Sequence, residues 1–445
     1  MLTNIKEEDK KNNNHQLDKS TQKKYTNLLI LMFLISLPWM IIKTLTLIGL
    51  FKWDYEHYAL ASVILTGITI IACAFIVSWA SEVLQEYLPP NFVLALLAII
   101  NVLPEYVVDI YFTYMAAIKE EYTHYAISNM TGANRMLIGL VWPLILIVYL
   151  IAKSKRSPES PNYIQLDKTN ILEITFLLLS TLYCFILPFK GNLSLIDTLI
   201  LFTIFGIYIY LATRMGKREP ELEGPALLIS NLPQKLKKFM IFFMFSFAGL
   251  GFLLSAEPFG ESLLVLGSKI ATNFGFDVDT AKFLMVQWVA PIASESPEII
   301  VVIIFAYKLL ATDAFSTVVS SKINQWTLLV GFIPLVYFIS LLIHSKPGSP
   351  LILDELQKHE ILLTAAQSFF ALIMILDMRF KIIDAILLFV LFSSQLLIPD
   401  IRIQVSIIYI ILGFILLLKV LISKEILNNL KESVIYTINQ VKKNK

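Results

Sequence analysis

The sequence predicts an all-α fold, a polytopic transmembrane helix bundle with about twelve spans. Of its 445 residues, 57% are hydrophobic and only 16% are charged, and the mean hydropathy is +0.71. Soluble domains usually carry about 25% charged residues, and a core of this length could not bury so much apolar surface. The apolar residues also form runs of about 20, the length needed to cross the bilayer core. Composition and run length therefore place most of the chain inside a membrane.

The predicted spans follow one another between two polar tails. Segment 1–25 is polar and Lys-rich, which predicts a disordered cytoplasmic tail. The first apolar run, Leu28–Leu50, is too long for a signal-peptide core and lacks a small-residue cleavage site, so it is predicted to span the membrane. A second cytoplasmic tail is predicted at 424–445. Predicted helices cover residues 26–50, 57–85, 91–117, 123–152, 170–189, 193–213, 238–267, 281–310, 313–343, 361–377, 381–398 and 403–423.

A polar, Pro-containing segment, 214–237, divides the chain into two halves of five spans each, 51–213 and 238–400. The helices at 26–50 and 401–423 lie outside this scheme. Because the number of spans per half is odd, the second half enters the membrane in the opposite direction. Such an inverted repeat is typical of secondary transporters.

Lys and Arg are concentrated in alternate loops, which predicts the orientation of the chain. If the N-terminus is cytoplasmic, the basic loops at 153–156, 214–237 and 379–381 all lie inside, and so does the C-terminal tail. The loops around Lys52 and Lys119 are sparser in basic residues and lie outside. We therefore expect both termini in the cytoplasm. The short central linker and the Lys/Ile/Asn-rich composition suggest a bacterial inner membrane.

Two spans carry acidic residues where an apolar helix is expected. The third contains Pro104-Glu105, with Asp109 one turn later on the same face. The eighth contains Pro297-Glu298 at a similar depth and in the opposite direction. A charge at mid-bilayer costs at least ~2.5–3.5 kcal/mol, and proline frees a backbone carbonyl. A repeated Pro-Glu fits a site for a hard cation better than carboxylates paired with Lys or Arg for helix packing alone.

Nearby polar side chains could complete such a site. Asn101 offers an amide oxygen and Ser294 a hydroxyl, both beside a Pro-Glu pair. The spans that follow contain further polar residues: Ser128, Asn129, Asn134 and Arg135 in the fourth, and Ser320, Ser321, Lys322, Asn324 and Gln325 in the ninth. These residues could face the same cavity or could serve as hydrogen-bonding groups between helices.

The Pro-Glu pair followed by Asn129-Met130-Thr131-Gly132-Ala133-Asn134 resembles the cation/calcium antiporter superfamily, which includes sodium/calcium and proton-coupled calcium exchangers. The resemblance covers about 78–145 and 250–335. It implies that Glu105 and Glu298 are the two principal cation-binding carboxylates. It further implies an amide ligand at Asn134 and a hydroxyl ligand at Ser294.

The sequence departs from the family pattern at several positions. Asn101 stands in a segment where the family has Gly-Thr-Ser, and Glu295 is an additional acid. Lys322 aligns with the family's Asn or Asp in the ninth span. A lysine there would act as a tethered cation, which leads to the hypothesis that it couples cation binding to proton movement. We assign coupling or supporting roles to Asp109, Asn129, Arg135, Glu295, Ser321 and Lys322.

The predicted function is secondary active antiport, in which Ca²⁺ or another small cation exchanges against Na⁺ or H⁺ at a midplane carboxylate site. Calcium/sodium, calcium/proton and sodium/proton exchange all fit these residues, and a cation channel is an alternative of another class. An intramembrane enzyme is disfavoured because all five His residues lie in predicted loops or at helix ends. A net charge of +2 does not suggest a nucleic-acid partner. The expected partners are inorganic cations and lipid, with no cofactor besides the transported ions.

Overall fold

The computed structural model describes residues 18–87, 103–157, 159, 161–215, 222, 224–275 and 277–443. Fourteen helices and four short strands lie in this part of the chain. The helices are α1 (Lys19–Leu47), α2 (Ala59–Tyr87), α3 (Leu103–Ala116), α4 (Tyr122–Arg156), α5 (Lys168–Lys190), α6 (Leu195–Ala212), α7 (Pro225–Ser230), α8 (Gln234–Phe274), α9 (Val278–Tyr307), α10 (Ala311–Ile343), α11 (Glu355–Asp377), α12 (Ile382–Leu397), α13 (Arg402–Ile422) and α14 (Lys424–Lys443). The strands are β1 (Tyr163–Gln165), β2 (Asn192–Leu193), β3 (Leu351–Ile352) and β4 (Arg379–Lys381).

The predicted fold class is confirmed: the chain is a polytopic transmembrane helix bundle. Ten of the described helices are long and apolar enough to cross a membrane, and α12 is a shorter apolar helix. The described part of α3 begins at Leu103, so the first part of the predicted third span lies outside the described residues. Apolar side chains also face outward, as a protein in lipid requires. On α8, for example, Phe242 is 72% exposed and Leu253 is 79% exposed.

Several predicted boundaries differ from the observed ones. Helix α1 begins at Lys19, where Asp18 accepts a hydrogen bond from the Thr21 amide, so the residues just before 26 are helical and do not belong to a disordered tail. The predicted linker 214–237 contains α7 and the first turn of α8. The segment 424–443 is helical as well, because its apolar and polar residues alternate with helical periodicity.

The two halves of the chain interlock through two short antiparallel ladders. Strand β1, in the loop between α4 and α5, pairs with β4, between α11 and α12. Strand β2, between α5 and α6, pairs with β3, between α10 and α11. Each half therefore supplies one strand to each ladder. The loops that pair are also those that the basic-residue pattern predicts on the same side of the membrane, as two inverted halves require.

The apolar interior consists of two clusters. One is formed mainly by α4, α5, α6, α10, α11, α12 and α13. The other is formed mainly by α1, α2, α7 and α8, with the start of α4. Helices α3 and α9 contribute to both clusters: Tyr106 and Val302 pack in the first, whereas Val108 and Ala293 pack in the second. The acidic residues of α3 and α9 therefore lie between the two clusters.

Three long helices contain a short π-helical segment near their middle. These segments are Leu137–Val141 in α4, Met285–Val289 in α9 and Gln325–Leu329 in α10. Isolated π segments widen one turn of a helix and are frequent at functional sites. Asn134 and Lys322 each lie three residues before such a segment. This common position supports the alignment of Lys322 with Asn134.

Candidate cation site

Glu105 on α3 and Glu295 on α9 lie beside each other and share one hydrogen-bond donor. Both are buried, with 1% and 4% of their surface exposed. A single amide bridges them: Nε2 of Gln325 donates to Oε2 of Glu105 at 3.2 Å and to Oε1 of Glu295 at 2.7 Å. The extra acid of the second half therefore faces the principal acid of the first half.

Glu298 lies one turn further along α9 and is half-buried. Its Oε2 accepts a hydrogen bond of 2.7 Å from the Ser321 hydroxyl of α10. It lines a cavity of about 200 Å³, which we call the Glu298 cavity. The remaining walls come from α2, α3, α9 and α10, and they include Ser81, Gln85, Pro104, Ser294 and Thr317. Of Glu105, Glu295 and Glu298, it is Glu298 that borders this cavity.

The local sequence explains why backbone oxygens are also available here. Pro297 lies inside α9 and has no N–H group, so it cannot bond the carbonyl of Ala293. Ser294 donates weakly, at 3.3 Å, to the carbonyls of Ala290 and Pro291 and also borders the Glu298 cavity. A proline-interrupted turn beside two carboxylates offers carbonyl and hydroxyl oxygens to an ion.

Helices α4 and α10 cross at Asn134 and Lys322. The Lys322 ammonium is completely buried and donates to the backbone carbonyl of Asn134 at 2.5 Å. It also lies 5.4 Å from the centre of the Trp326 ring. Within the described residues the ammonium forms no ion pair with a carboxylate. Lys322 therefore bonds to the backbone of the site and not to its carboxylates.

Several buried oxygens in the site and beside it have no hydrogen-bond partner. Such atoms are costly in a dry interior unless an ion, a proton or a water molecule binds them. They come from carboxylates and amides, which are the ligands that hard cations prefer. The unpartnered oxygens are Glu105 Oε1, Asp109 Oδ2, Asn129 Oδ1, Asn134 Oδ1, Glu298 Oε1 and Gln325 Oε1.

No three His, Cys, Asp or Glu side chains in the described part of the chain converge closely enough to hold one metal ion. A cation at this site must therefore combine one or two carboxylates with amide, hydroxyl or backbone oxygens. Ca²⁺ accepts such mixed sets of six to eight oxygens, whereas zinc-type sites need His or Cys. The donor set fits a hard cation.

Arg135, one residue beyond Asn134, points into a separate buried charge cluster. It forms an ion pair with Glu360 and donates to Oε1 of Gln395 at 2.6 Å. Glu360 also accepts from Nε2 of Gln287 at 2.6 Å, and its other oxygen lies 2.8 Å from Nε of Arg402. We call these five residues the Arg135 cluster. It joins α4, α9, α11, α12 and α13, so Arg135 does not contact the carboxylates of the cation site.

A second cavity, of about 460 Å³, lies near the Arg135 cluster. We call it the Glu121 cavity. Three exposed acids, Glu121, Asp279 and Asp400, line it, and Arg402 borders it as well. Tyr125, one turn after Glu121 on α4, forms another part of the wall. The basic-residue pattern predicts the ends of all these helices on the outer side of the membrane, opposite to the Glu298 cavity.

The sequence also matches a known protein family. The model of the family described as "Sodium/calcium exchanger protein" matches residues 58–214 and 240–399, most of the chain. The chain belongs to the sodium/calcium exchanger family. The two matched segments of this exchanger correspond to α2–α6 and α8–α12. A search of curated protein sequences gave no match.

Solved exchanger structures share the fold. A crystal structure of the H⁺/Ca²⁺ exchanger CAX matches with 38% sequence identity and a TM-score of 0.82, covering 95% of this chain and 99% of that one. The sodium–calcium exchanger NCX_Mj, soaked with Na⁺ and Sr²⁺, matches with 19% identity and a TM-score of 0.50, covering 77% of this chain and 99% of that one. The second likeness concerns the fold alone.

Two residues of the exchanger were not assigned to a site from the sequence. Gln325 bridges the carboxyl pair. It lies three residues after Lys322, in the polar stretch of the ninth predicted span that could face the same cavity. Glu360 is completely buried, although its position next to a weakly apolar run predicted a loop. Asn101, proposed as a ligand, lies outside the described residues. The remaining proposed ligands, Glu105, Glu298, Asn134 and Ser294, all lie on α3, α4 and α9.

Proposed function

We propose that this chain is a proton/calcium antiporter that works by alternating access. It transports ions and is not an enzyme. The single observation that carries the choice of proton is the hydrogen-bond donor that Glu105 and Glu295 share, the side-chain amide of Gln325. Two carboxylates held beside each other in a dry interior repel each other strongly unless a proton or a cation lies between them. One amide donor, Gln325, cannot balance two negative charges.

In this mechanism the carboxyl pair holds a proton while Ca²⁺ is absent. When Ca²⁺ enters from the Glu298 cavity, it takes the place of that proton. Glu105 and Glu298 balance its two charges, and Asn134 and Ser294 supply neutral oxygens. Oxygens of these carboxylates and of the Asn134 amide have no other partner, which supports this role. The 38% identity with an H⁺/Ca²⁺ exchanger supports the same ion pair.

Alternating access needs a path on each side of the site. The Glu298 cavity provides one path, and the Glu121 cavity marks the other. The two apolar clusters meet at α3 and α9, so sliding of one cluster against the other would open one path and close the second. We place the Glu298 cavity on the cytoplasmic side, with both termini, in a bacterial inner membrane.

Lys322 is the residue that argues against sodium as the coupled ion. Its amine stands in the place that the family gives to an Asn or Asp ligand, and it offers no oxygen to an ion. When this amine is protonated, its positive charge disfavours the binding of several monovalent ions beside Ca²⁺. Sodium/proton exchange on the same fold is the second candidate, since one carboxylate with amide oxygens also suits Na⁺.

Purified protein in proteoliposomes tests the proposal. We expect ⁴⁵Ca²⁺ uptake when an outward-directed proton gradient is imposed, and no added uptake from a sodium gradient at constant pH. Glu298→Gln and Glu105→Gln should abolish uptake. Glu295→Gln should retain Ca²⁺ binding but lose the response to the proton gradient. Glu355→Gln, which changes an exposed carboxylate at the start of α11, is the matched control and should transport normally.

Three outcomes would contradict this proposal. Uptake driven by sodium at constant pH would make the protein a sodium/calcium exchanger. A conductance that persists without any counter-ion gradient would make it a channel. An unchanged proton response in Glu295→Gln would remove the carboxyl pair from the mechanism.

A further inference from the structure

We propose that Asp109, Thr113 and Asn129 form a second cation position that binds a monovalent ion, separate from the calcium site. The three residues lie where α3 packs on α4. Oδ1 of Asp109 accepts a hydrogen bond of 2.7 Å from Nδ2 of Asn129. Thr113 follows Asp109 by one helical turn, so both side chains lie on one face of α3.

Each of these side chains is buried and has an oxygen without a partner. Asp109 is 3% exposed, Thr113 is 1% exposed and Asn129 is completely buried. The unpartnered atoms are Oδ2 of Asp109, Oγ1 of Thr113 and Oδ1 of Asn129. Leaving such a group unbonded in a dry interior is unfavourable, and most unfavourable for a charged group. Three unbonded oxygens of different chemical types on neighbouring turns are therefore best explained by a ligand that binds all of them.

A purely structural role does not account for Asp109. In the described part of the chain it forms no ion pair with Lys or Arg, and its one protein donor is the Asn129 amide. The buried acid of the Arg135 cluster is different, because Glu360 contacts two arginines and an amide. Asp109 is therefore as buried as an acid with a structural role, but it has no basic partner among the described residues.

The position is distinct from the calcium site. Asp109 lies one turn beyond Glu105, and the carboxylates of Asp109, Glu105 and Glu295 do not converge on one ion. A divalent ion held by Asp109 alone would leave one positive charge uncompensated in a dry interior. A monovalent ion is neutralised by the single carboxylate, and the amide and hydroxyl oxygens complete its coordination. The donor chemistry therefore selects a small monovalent cation such as Na⁺.

The Glu121 cavity lies one helical turn along α4 from this position. Asn129 lies one turn after Tyr125 on α4, and Tyr125 lines that cavity together with Glu121. The exposed acids of the cavity raise the local concentration of cations. An ion that passes between the helices at Tyr125 would meet Asn129 and Asp109 before it reaches Glu105. The bound ion would then neutralise Asp109 without taking part in exchange.

The test uses the full-length protein in detergent and measures its thermal unfolding midpoint. An ion that binds only the folded state raises the midpoint with its concentration. NaCl is titrated against N-methyl-D-glucamine chloride at constant ionic strength, once without Ca²⁺ and once with saturating Ca²⁺. We expect the Na⁺-dependent rise to persist at saturating Ca²⁺, because the two sites are separate. Asp109→Asn should raise the Na⁺ concentration at half effect by about tenfold or more.

Thr113 provides a matched pair of variants. Thr113→Val removes the hydroxyl at nearly constant volume and should weaken the Na⁺ effect, whereas Thr113→Ser retains the hydroxyl and should preserve it. Stabilisation by Ca²⁺ in each variant reports separately on folding and on the calcium site, so a failure of the proposed antiport is visible in its own readout. An Na⁺ effect that vanishes at saturating Ca²⁺, or that is unchanged in Asp109→Asn, would overturn the second position.

Discussion

The ammonium of Lys322 donates to the backbone carbonyl of Asn134 at 2.5 Å, at the point where α10 crosses α4. The two residues occupy equivalent places in the two halves, since each precedes a π-helical segment by three residues. Residues related by a two-fold axis come into contact only when they lie close to that axis. The contact therefore places Lys322 at the centre of the molecule, next to the oxygens of the first half.

Replacing Lys322 should change how protons and Ca²⁺ compete. In Lys322→Gln one positive charge near the carboxylates is removed, so protons should compete with Ca²⁺ up to a higher pH. Lys322→Arg keeps the charge and serves as the control. The measurement is ⁴⁵Ca²⁺ uptake by proteoliposomes as a function of pH, together with the charge moved per cycle. If Lys322→Gln matched the unmodified protein in both respects, the lysine would have no coupling role.

Removing Glu360 should strongly destabilise the protein. Glu360→Gln leaves Arg135 and Arg402 without their shared carboxylate in a region with almost no solvent exposure. Breaking a buried ion pair from one side typically costs about 3–5 kcal/mol. We expect a lower unfolding midpoint in detergent.

The exposed pair of Lys168 and Glu432 offers a comparison for this effect. Its side chains are 54% and 63% exposed, and such pairs contribute about 0–1 kcal/mol. Glu432→Gln should therefore leave the midpoint almost unchanged. Equal midpoints in Glu360→Gln and Glu432→Gln would show that the Arg135 cluster does not hold the five helices together.

Gly132 should tolerate no larger side chain. A methyl group at this position would overlap the backbone carbonyl of Gln287, which belongs to the π-helical segment of α9. Backbone cannot move aside as a flexible side chain does, so Gly132→Ala should separate α4 from α9 and reduce both stability and transport. At Gly206 on α6 a methyl group meets no atom within 4 Å. Gly206→Ala should be neutral or stabilising by up to about 1 kcal/mol.

The cap of α9 should make stability depend on acid pH. Hydrogen bonds from Thr280 to Asp277, including one of 2.8 Å from its backbone N–H, hold the pKa of this exposed carboxyl below its ordinary value of 3.8. Because the folded pKa is the lower one, the contribution is complete above the unfolded pKa and is lost as the pH falls through the folded pKa.

Asp277→Asn keeps a side-chain oxygen at the cap but removes the titrating group. The variant should show a shallower fall of the unfolding midpoint below pH ~4 than the unmodified protein. Midpoints measured between pH 5 and 3 at constant ionic strength would test this. Parallel curves for the two proteins would mean that another acid accounts for the pH dependence.

The spans and the principal acids could be predicted from the sequence because both signals are local. A run of apolar residues and a Pro-Glu in its middle are read within one helix. The partner of Glu105 could not be predicted in this way, since Glu295 and Glu298 are three residues apart and lie on one face of α9. Which of them meets Glu105 depends on how α9 is rotated against α3.

Glu360 shows the same limit more clearly. It lies at the polar start of α11, where hydropathy predicts a loop, and it is buried by residues far away in the chain. Arg135 precedes it by 225 positions. A residue whose burial depends on its partners leaves no periodic signal, so the Arg135 cluster becomes visible only once the helices are packed.

Each β ladder takes one strand from each half, so neither half of this protein is complete on its own. The first half alone would expose the unpaired edges of β1 and β2, and the second half alone would expose those of β3 and β4. In either case one edge lies on each side of the membrane. Two copies of a single half could cover these edges for each other if they were inserted in opposite orientations. Between Ala212 and Pro225, the residues that the structure describes contribute no strand to either ladder. A gene divided in this region would therefore encode two polypeptides that are obliged to find each other in the bilayer.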